Sequence, residues 1–174
     1  MAFEIPQGLH PDLMALAWMV GRWEGVGNGQ WPGRGDFTYG AQLDFSHNGG
    51  PYLHYVGQLF DLDDQGDAVG TMHVETGFWR PQRDASLEVV MCHPDGYAEV
   101  WFGAISGARI ELTTDAVART LTAELPYTGG HRLYGNVESD LAFTFDRATT
   151  DHELQNYLFA RLQRSVPAPA PAAG

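Results

Sequence analysis

At 174 residues, with 44% hydrophobic, 12% aromatic and only 18% charged residues, the chain suits one globular domain and is too apolar for a disordered segment or a charge-laced coiled coil. Its formal charge is −12, from 22 acidic against 10 basic residues, every basic residue being arginine. Such a field repels phosphate backbones and anionic lipid, so nucleic-acid binding and membrane attachment are not expected.

The first twelve residues read as an entry arm, after which Pro11-Asp12 opens an apolar stretch that stops at Val20-Gly21. Proline at the start and glycine at the end predict one short helix. The unbroken apolar run within it, Leu13 to Val20, is far below the roughly 20 residues that span a bilayer. The preceding residues carry Glu4 and Asp12 but no Lys or Arg, the wrong charge for a secretory or transit signal, so a cytoplasmic protein is expected.

From Arg22 onward, glycine-bearing turns separate segments rich in Val, Phe, Tyr, Trp and Thr, which is strand-and-hairpin punctuation. Within Thr38 to Phe45, the residues Tyr39, Ala41, Leu43 and Phe45 share one parity. Val89 and Met91 likewise alternate with Glu88, Val90 and Cys92. Tyr97 to Phe102, Arg109 to Thr113, Arg132 to Val137 and Leu141 to Phe145 add further strands. The spacing predicts an all-β fold, a ten-stranded antiparallel up-and-down β-barrel after one short N-terminal helix, with the barrel over residues 13–165. Leu154 to Arg164 fits either a helical stripe or one strand face, and periodicity leaves that open. The Pro/Ala segment 166–174 has low complexity, adds nothing to a core and is expected to be disordered.

Most chemistry-bearing clusters fail on spacing. Asp61, Asp63, Asp64 and Asp67 surround Gly66, but a twelve-residue calcium loop counted from Asp61 puts Met72 where a bidentate glutamate is needed, so the cluster reads as a hairpin turn. Asp44 and Ser46 face away from His47 in a strand, and Cys92 away from His93, so neither set is a nucleophile site. Cys92, the single cysteine, excludes an internal disulfide and, lying in an apolar run, reads as a buried inert thiol. No histidine pair has the i, i+4 spacing of a zinc protease helix. His47 and His93 both precede turn residues, which places them near strand ends and makes them pocket candidates in a barrel.

The most diagnostic segment is Gly21-Arg22-Trp23-Glu24-Gly25-Val26-Gly27, whose glycines let a first strand bend and pack closely while Trp23 fills the closed end of a barrel. With this G-x-W-x-G-x-G pattern at Gly21, Trp23, Gly25 and Gly27, the chain resembles the nitrobindins, haem-binding barrels similar in shape to lipocalins and fatty-acid-binding proteins. Further similarities follow in register: Phe45-Ser46-His47-Asn48-Gly49, Glu75-Thr76-Gly77-Phe78, His93-Pro94-Asp95-Gly96 and Leu154-Gln155-Asn156-Tyr157-Leu158. The resemblance implies a pocket at one barrel end, a C-terminal strand, ferric haem b held by one axial histidine of that strand, nitric oxide binding and isomerisation of peroxynitrite to nitrate.

The resemblance also exposes a departure: Tyr157 stands where the axial histidine is expected. Imidazole offers a neutral nitrogen, whereas tyrosine must lose a proton of pKa about 10 to ligate iron well. Gly33, in Trp31-Pro32-Gly33, replaces a usual pocket threonine, and His131 falls where a basic residue is common near the haem. Two readings follow. In one, the barrel has lost histidine-ligated haem and takes another small, mostly apolar ligand or none. In the other, Tyr157 binds ferric haem as tyrosinate, helped by Arg161 two pairs along the same strand face or by another nearby cation. His131 or His152 as substitute ligands, and a purely structural barrel, are the remaining alternatives.

Overall fold

The computed structural model describes residues 5–124 and 126–165. Its strands are β1 (Gly21–Trp31), β2 (Gly35–Ser46), β3 (Leu53–Leu62), β4 (Ala68–Pro81) and β5 (Ser86–Cys92). They continue as β6 (Tyr97–Ser106), β7 (Arg109–Arg119), β8 (Tyr127–Val137), β9 (Asp140–Thr149) and β10 (Gln155–Ser165). Each strand pairs antiparallel with the next and β10 closes on β1, so the barrel leaves no open edge. The C-terminal segment that periodicity left open is thus a strand.

Up-and-down order puts alternate connections at opposite ends. The β2–β3, β4–β5, β6–β7 and β8–β9 connections share one end with the helix that leads into β1. That helix, Pro11–Met19, is a 3-10 helix whose Leu13, Leu16 and Met19 are fully buried, so its apolar side plugs this end. No helix among the described residues is long and apolar enough to cross a membrane. The segment 166–174 and residues 1–4 lie outside the described residues.

The period-two readings hold where they decide burial: Tyr39, Ala41, Leu43 and Phe45 point inward, as do Val89 and Met91. Cys92 corrects its own reading, because it is exposed. The parity that buries Met91 turns its neighbour outward, and this overrides the apolar run. The acidic turn is a hairpin in which the Asp63 carboxylate accepts from the backbone N–H groups of Gln65 (3.0 Å) and Asp67 (2.9 Å).

The glycine-rich β1 exists to let rings from β2 lie over it. Gly27 pairs with Tyr39 and Gly29 with Phe37, and a Cβ at either glycine would fall inside the partner's ring. Tyr39 is fully buried and donates its hydroxyl to the Phe159 carbonyl at 3.2 Å, so it has little room to yield. Gly27→Ala should therefore destabilise the fold by about 1–3 kcal/mol, although alanine ordinarily suits a strand better than glycine. Urea unfolding beside the exposed-site control Val26→Ala checks this, and a stabilised Gly27→Ala would refute the ring-over-glycine account.

Candidate functional site

The opposite end of the barrel opens into a cavity of about 270 Å³. Its apolar wall includes Leu43, Leu59, Phe143, Phe145 and Leu158, the inward rows of β2, β3, β9 and β10. Strict alternation in β10 would turn Tyr157 outward with Phe159 and Arg161. A β-bulge interrupts it: Asn156 pairs with Asp146 and Leu158 with Phe145, so Tyr157 is the extra residue. The bulge re-aims Tyr157 into the cavity, against Trp31 (5.3 Å), Phe145 (5.7 Å) and Phe37 (6.2 Å).

The same bulge corrects the expected role of Arg161. That side chain stays on the outer face, paired with Asp140 at 2.6 Å and Glu138 at 2.9 Å. The cation beside Tyr157 is instead Arg147, whose guanidinium lies 5.0 Å from the Tyr157 ring and 5.1 Å from Trp31.

Beneath the mouth lies a buried polar network. Arg132 reaches from β8 across to Glu75 on β4 and donates through both terminal nitrogens, at 2.6 and 2.7 Å. The Tyr55 hydroxyl donates to the same carboxylate at 2.7 Å, and the His73 ring lies 3.3 Å from its other oxygen. Burial alone would raise the Glu75 pKa. The charge and hydrogen bonds of Arg132, together with the His73 contact, outweigh burial and hold the carboxyl well below its ordinary range. Burial likewise works against the Arg132 charge, but the Glu75 carboxylate reverses it and holds the guanidinium firmly protonated. The two shifts agree on an ionised, bidentate pair.

A second buried pair, His93 and Glu99, meets at 2.7 Å, with the His93 ring stacked on Tyr97 at 3.9 Å. His73, Glu75 and His93 each offer a ligand-type atom, all within 4.8 Å of one another, which resembles a divalent-cation triad. The Glu75 carboxylate is already held by a guanidinium, so a cation there would have to compete with Arg132 for it. The grouping is better explained as the end of the ion-pair network.

The sequence candidates scatter over this frame. Tyr157 and the His93 pair lie at the open end, while His47 belongs to the β2–β3 connection at the helix-plugged end. Gly33 is exposed in the β1–β2 turn at the open end, with φ +84° and no atom within 4 Å of a Cβ placed there. His131, expected beside a cofactor, points out of the barrel and bridges Glu111 (3.0 Å) and Asp146 (3.5 Å). Its neighbour Arg132 has the inward parity. His152 packs its ring edge-on against Trp31 at 5.5 Å. Gly21, Trp23, Gly25 and Gly27 build β1 rather than the cavity wall.

Glu75, Glu99 and Arg132 were missed as site residues. A signal for them was present: each shares strand parity with an inward aromatic, Trp79, Trp101 and Tyr134 respectively.

The family model described as THAP4-like, heme-binding beta-barrel domain matches residues 12–164. The chain belongs to the nitrobindin family. A ferric nitrobindin-like protein of Cutibacterium acnes is 57% identical over 166 residues, 95% of this chain and 100% of that one. A peroxynitrite isomerase of Nocardioides sp. is 46% identical over 164 residues, 94% of this chain and 99% of the relative. Among solved structures, Rv2717c from M. tuberculosis superposes with a TM-score of 0.77 at 31% identity, covering 91% of this chain and 99% of that one.

Haem in a nitrobindin calls for a donor to iron, and this donor set does not fit a histidine-ligated haem on β10. That strand contains no histidine, and its bulge residue, which faces the cavity, is Tyr157. The cavity's own imidazole, His73, is turned to the Glu75 carboxylate.

Proposed function

We propose that this nitrobindin binds a small, mostly apolar ligand in its barrel and has lost haem binding through an axial histidine. The observation that carries the reading is the bulge in β10, which presents a phenol to the cavity where the resemblance places an imidazole. A neutral phenol is a poor iron ligand at neutral pH. Support also comes from the cavity itself, a concave site in which apolar side chains and convergent polar groups line one space, as small-molecule sites do.

A second reading has its own observation. Arg147 places a positive charge 5.0 Å from the Tyr157 ring, where an anionic oxygen ligand to ferric iron would benefit from one. In that case Tyr157 would hold ferric haem, and the activity named for the Nocardioides relative, peroxynitrite isomerisation, would be the one to assay.

Titration with ferric haem separates the two. The first reading expects no stoichiometric spectral change in the wild type or in Tyr157→Phe, and a one-to-one complex with a histidine-ligated ferric spectrum in Tyr157→His. A stoichiometric wild-type complex whose ferric-tyrosinate band disappears in Tyr157→Phe would overturn it in favour of the second.

A further inference from the structure

The cavity lining is net positive in a molecule that is strongly negative as a whole. Three guanidiniums, of Arg34, Arg132 and Arg147, face it against two carboxylates, of Glu75 and Asp95, in a chain whose net charge is −12. Arg132 is neutralised by Glu75, and Arg34 is held by Asp61 at 2.8 Å. Arg147 has no carboxylate partner among the described residues. Its planar head is fixed by the rings of Trp31 and Tyr157, with Tyr127 at 5.9 Å, and its Nε is shielded from solvent without a hydrogen-bond partner. An oriented guanidinium at the rim of a cavity, with a buried donor unused, matches a planar two-oxygen anion.

The strand that carries Arg147 also indicates what the anion should be attached to. Leu141, Phe143 and Phe145 precede it in the inward row of β9, so one step below the cation the wall becomes apolar. The space is small, about 270 Å³, and the Glu75–Arg132 pair borders its apolar wall, with the Arg132 guanidinium 4.3 Å from the Phe145 ring. A ligand matching this profile has its charge at the mouth and a short apolar body beneath it.

We propose that Arg147 is the anchor for the carboxylate of a compact amphiphilic acid, whose apolar part lies along Phe145, Phe143 and Leu158. The assignment rests on the small-ligand reading above and names its ligand class. Binding a carboxylate here is favourable because the guanidinium is half-buried, with its Nε shielded, and is held by aromatic rings, so binding need not order it. An alcohol of the same length would gain the apolar contacts but offers no charge and only one neutral acceptor oxygen.

Calorimetric titration of the full chain with octanoate and, separately, with 1-octanol tests this. Wild type should bind octanoate one-to-one and more tightly than 1-octanol. Arg147→Gln should weaken octanoate by about 10- to 100-fold, the range for a lost charge-assisted hydrogen bond, and leave 1-octanol unchanged. Arg147→Lys keeps the charge without the planar fork and should recover part of the loss. It also carries the comparison if thermal melting shows the Gln variant unfolded. Equal binding of acid and alcohol, or an octanoate affinity indifferent to both substitutions, would overturn the Arg147 assignment while leaving an apolar-ligand barrel in place. Binding of neither probe would also overturn it, and the haem titration of the Tyr157 variants would still decide the wider reading by itself.

Discussion

Arg132→Met should lower the unfolding free energy by about 3–5 kcal/mol at neutral pH, because it strands the Glu75 carboxylate in the barrel interior. Both side chains are almost wholly buried, at 5% and 6% exposure, so water cannot take over from the lost guanidinium. The pH dependence gives the effect its signature. In the wild type, the Glu75 pKa lies below its ordinary 4.5, so its contribution is fully present above that value and is lost as pH falls through the depressed folded value. Without Arg132, the burial effect that raises the pKa is opposed only by the His73 contact, and protonation on acidification relieves the stranded charge. The gap between variant and wild type should therefore be widest at pH 7 and shrink on acidification, as read by urea unfolding at several pH values. A gap independent of pH would contradict the charge account. Glu75→Leu combined with Arg132→Met should recover much of the loss, since replacing both members of a buried pair by apolar groups is often close to neutral.

The parity rule that exposes this pair also explains what the sequence could and could not disclose. Ten strands, their hairpin turns and the inward rows through Tyr39 and Val89 were legible because a strand with one face in a core must alternate. Alternation gives relative parity, however, and fails wherever the ladder slips. In β10 one extra residue puts Tyr157 and Arg161 on opposite faces, although they stand four apart and uninterrupted alternation would align them. The bulge follows from pairing with β9, a contact far away in the chain, so no local pattern announces it. His131 shows a different failure. It resembled a pocket base by position along the chain, while its parity, set by the fully buried Tyr134 two residues beyond Arg132, assigns the interior to Arg132. The ion pairs were hidden because Glu75 meets Arg132 across the barrel, 57 residues apart, and only closure of the sheet makes them neighbours.

Closure at the far end depends on Trp23, where Trp23→Ala should cost about 3–5 kcal/mol. The ring is fully buried and tied to three segments at once. Its Nε1 donates to the Met19 carbonyl at 2.7 Å, holding the last turn of the 3-10 helix against β1. The Arg164 guanidinium from β10 stacks 4.2 Å from the ring and donates to the carbonyls of Trp18, at 2.7 Å, and Val20. Trp23 thus joins the plug, the first strand and the last strand where the sheet closes on itself. Trp23→Phe separates the two parts of its role: it keeps most of the ring but leaves the Met19 carbonyl without its donor, for an expected loss of about 1–3 kcal/mol. Equal losses in the two variants would assign the effect to the hydrogen bond; a negligible loss in Phe would assign it to the volume of the ring. Urea unfolding of both variants gives the partition. The plugged helix end leaves the cavity to the opposite end of the barrel, where Arg147 and Tyr157 are part of its lining.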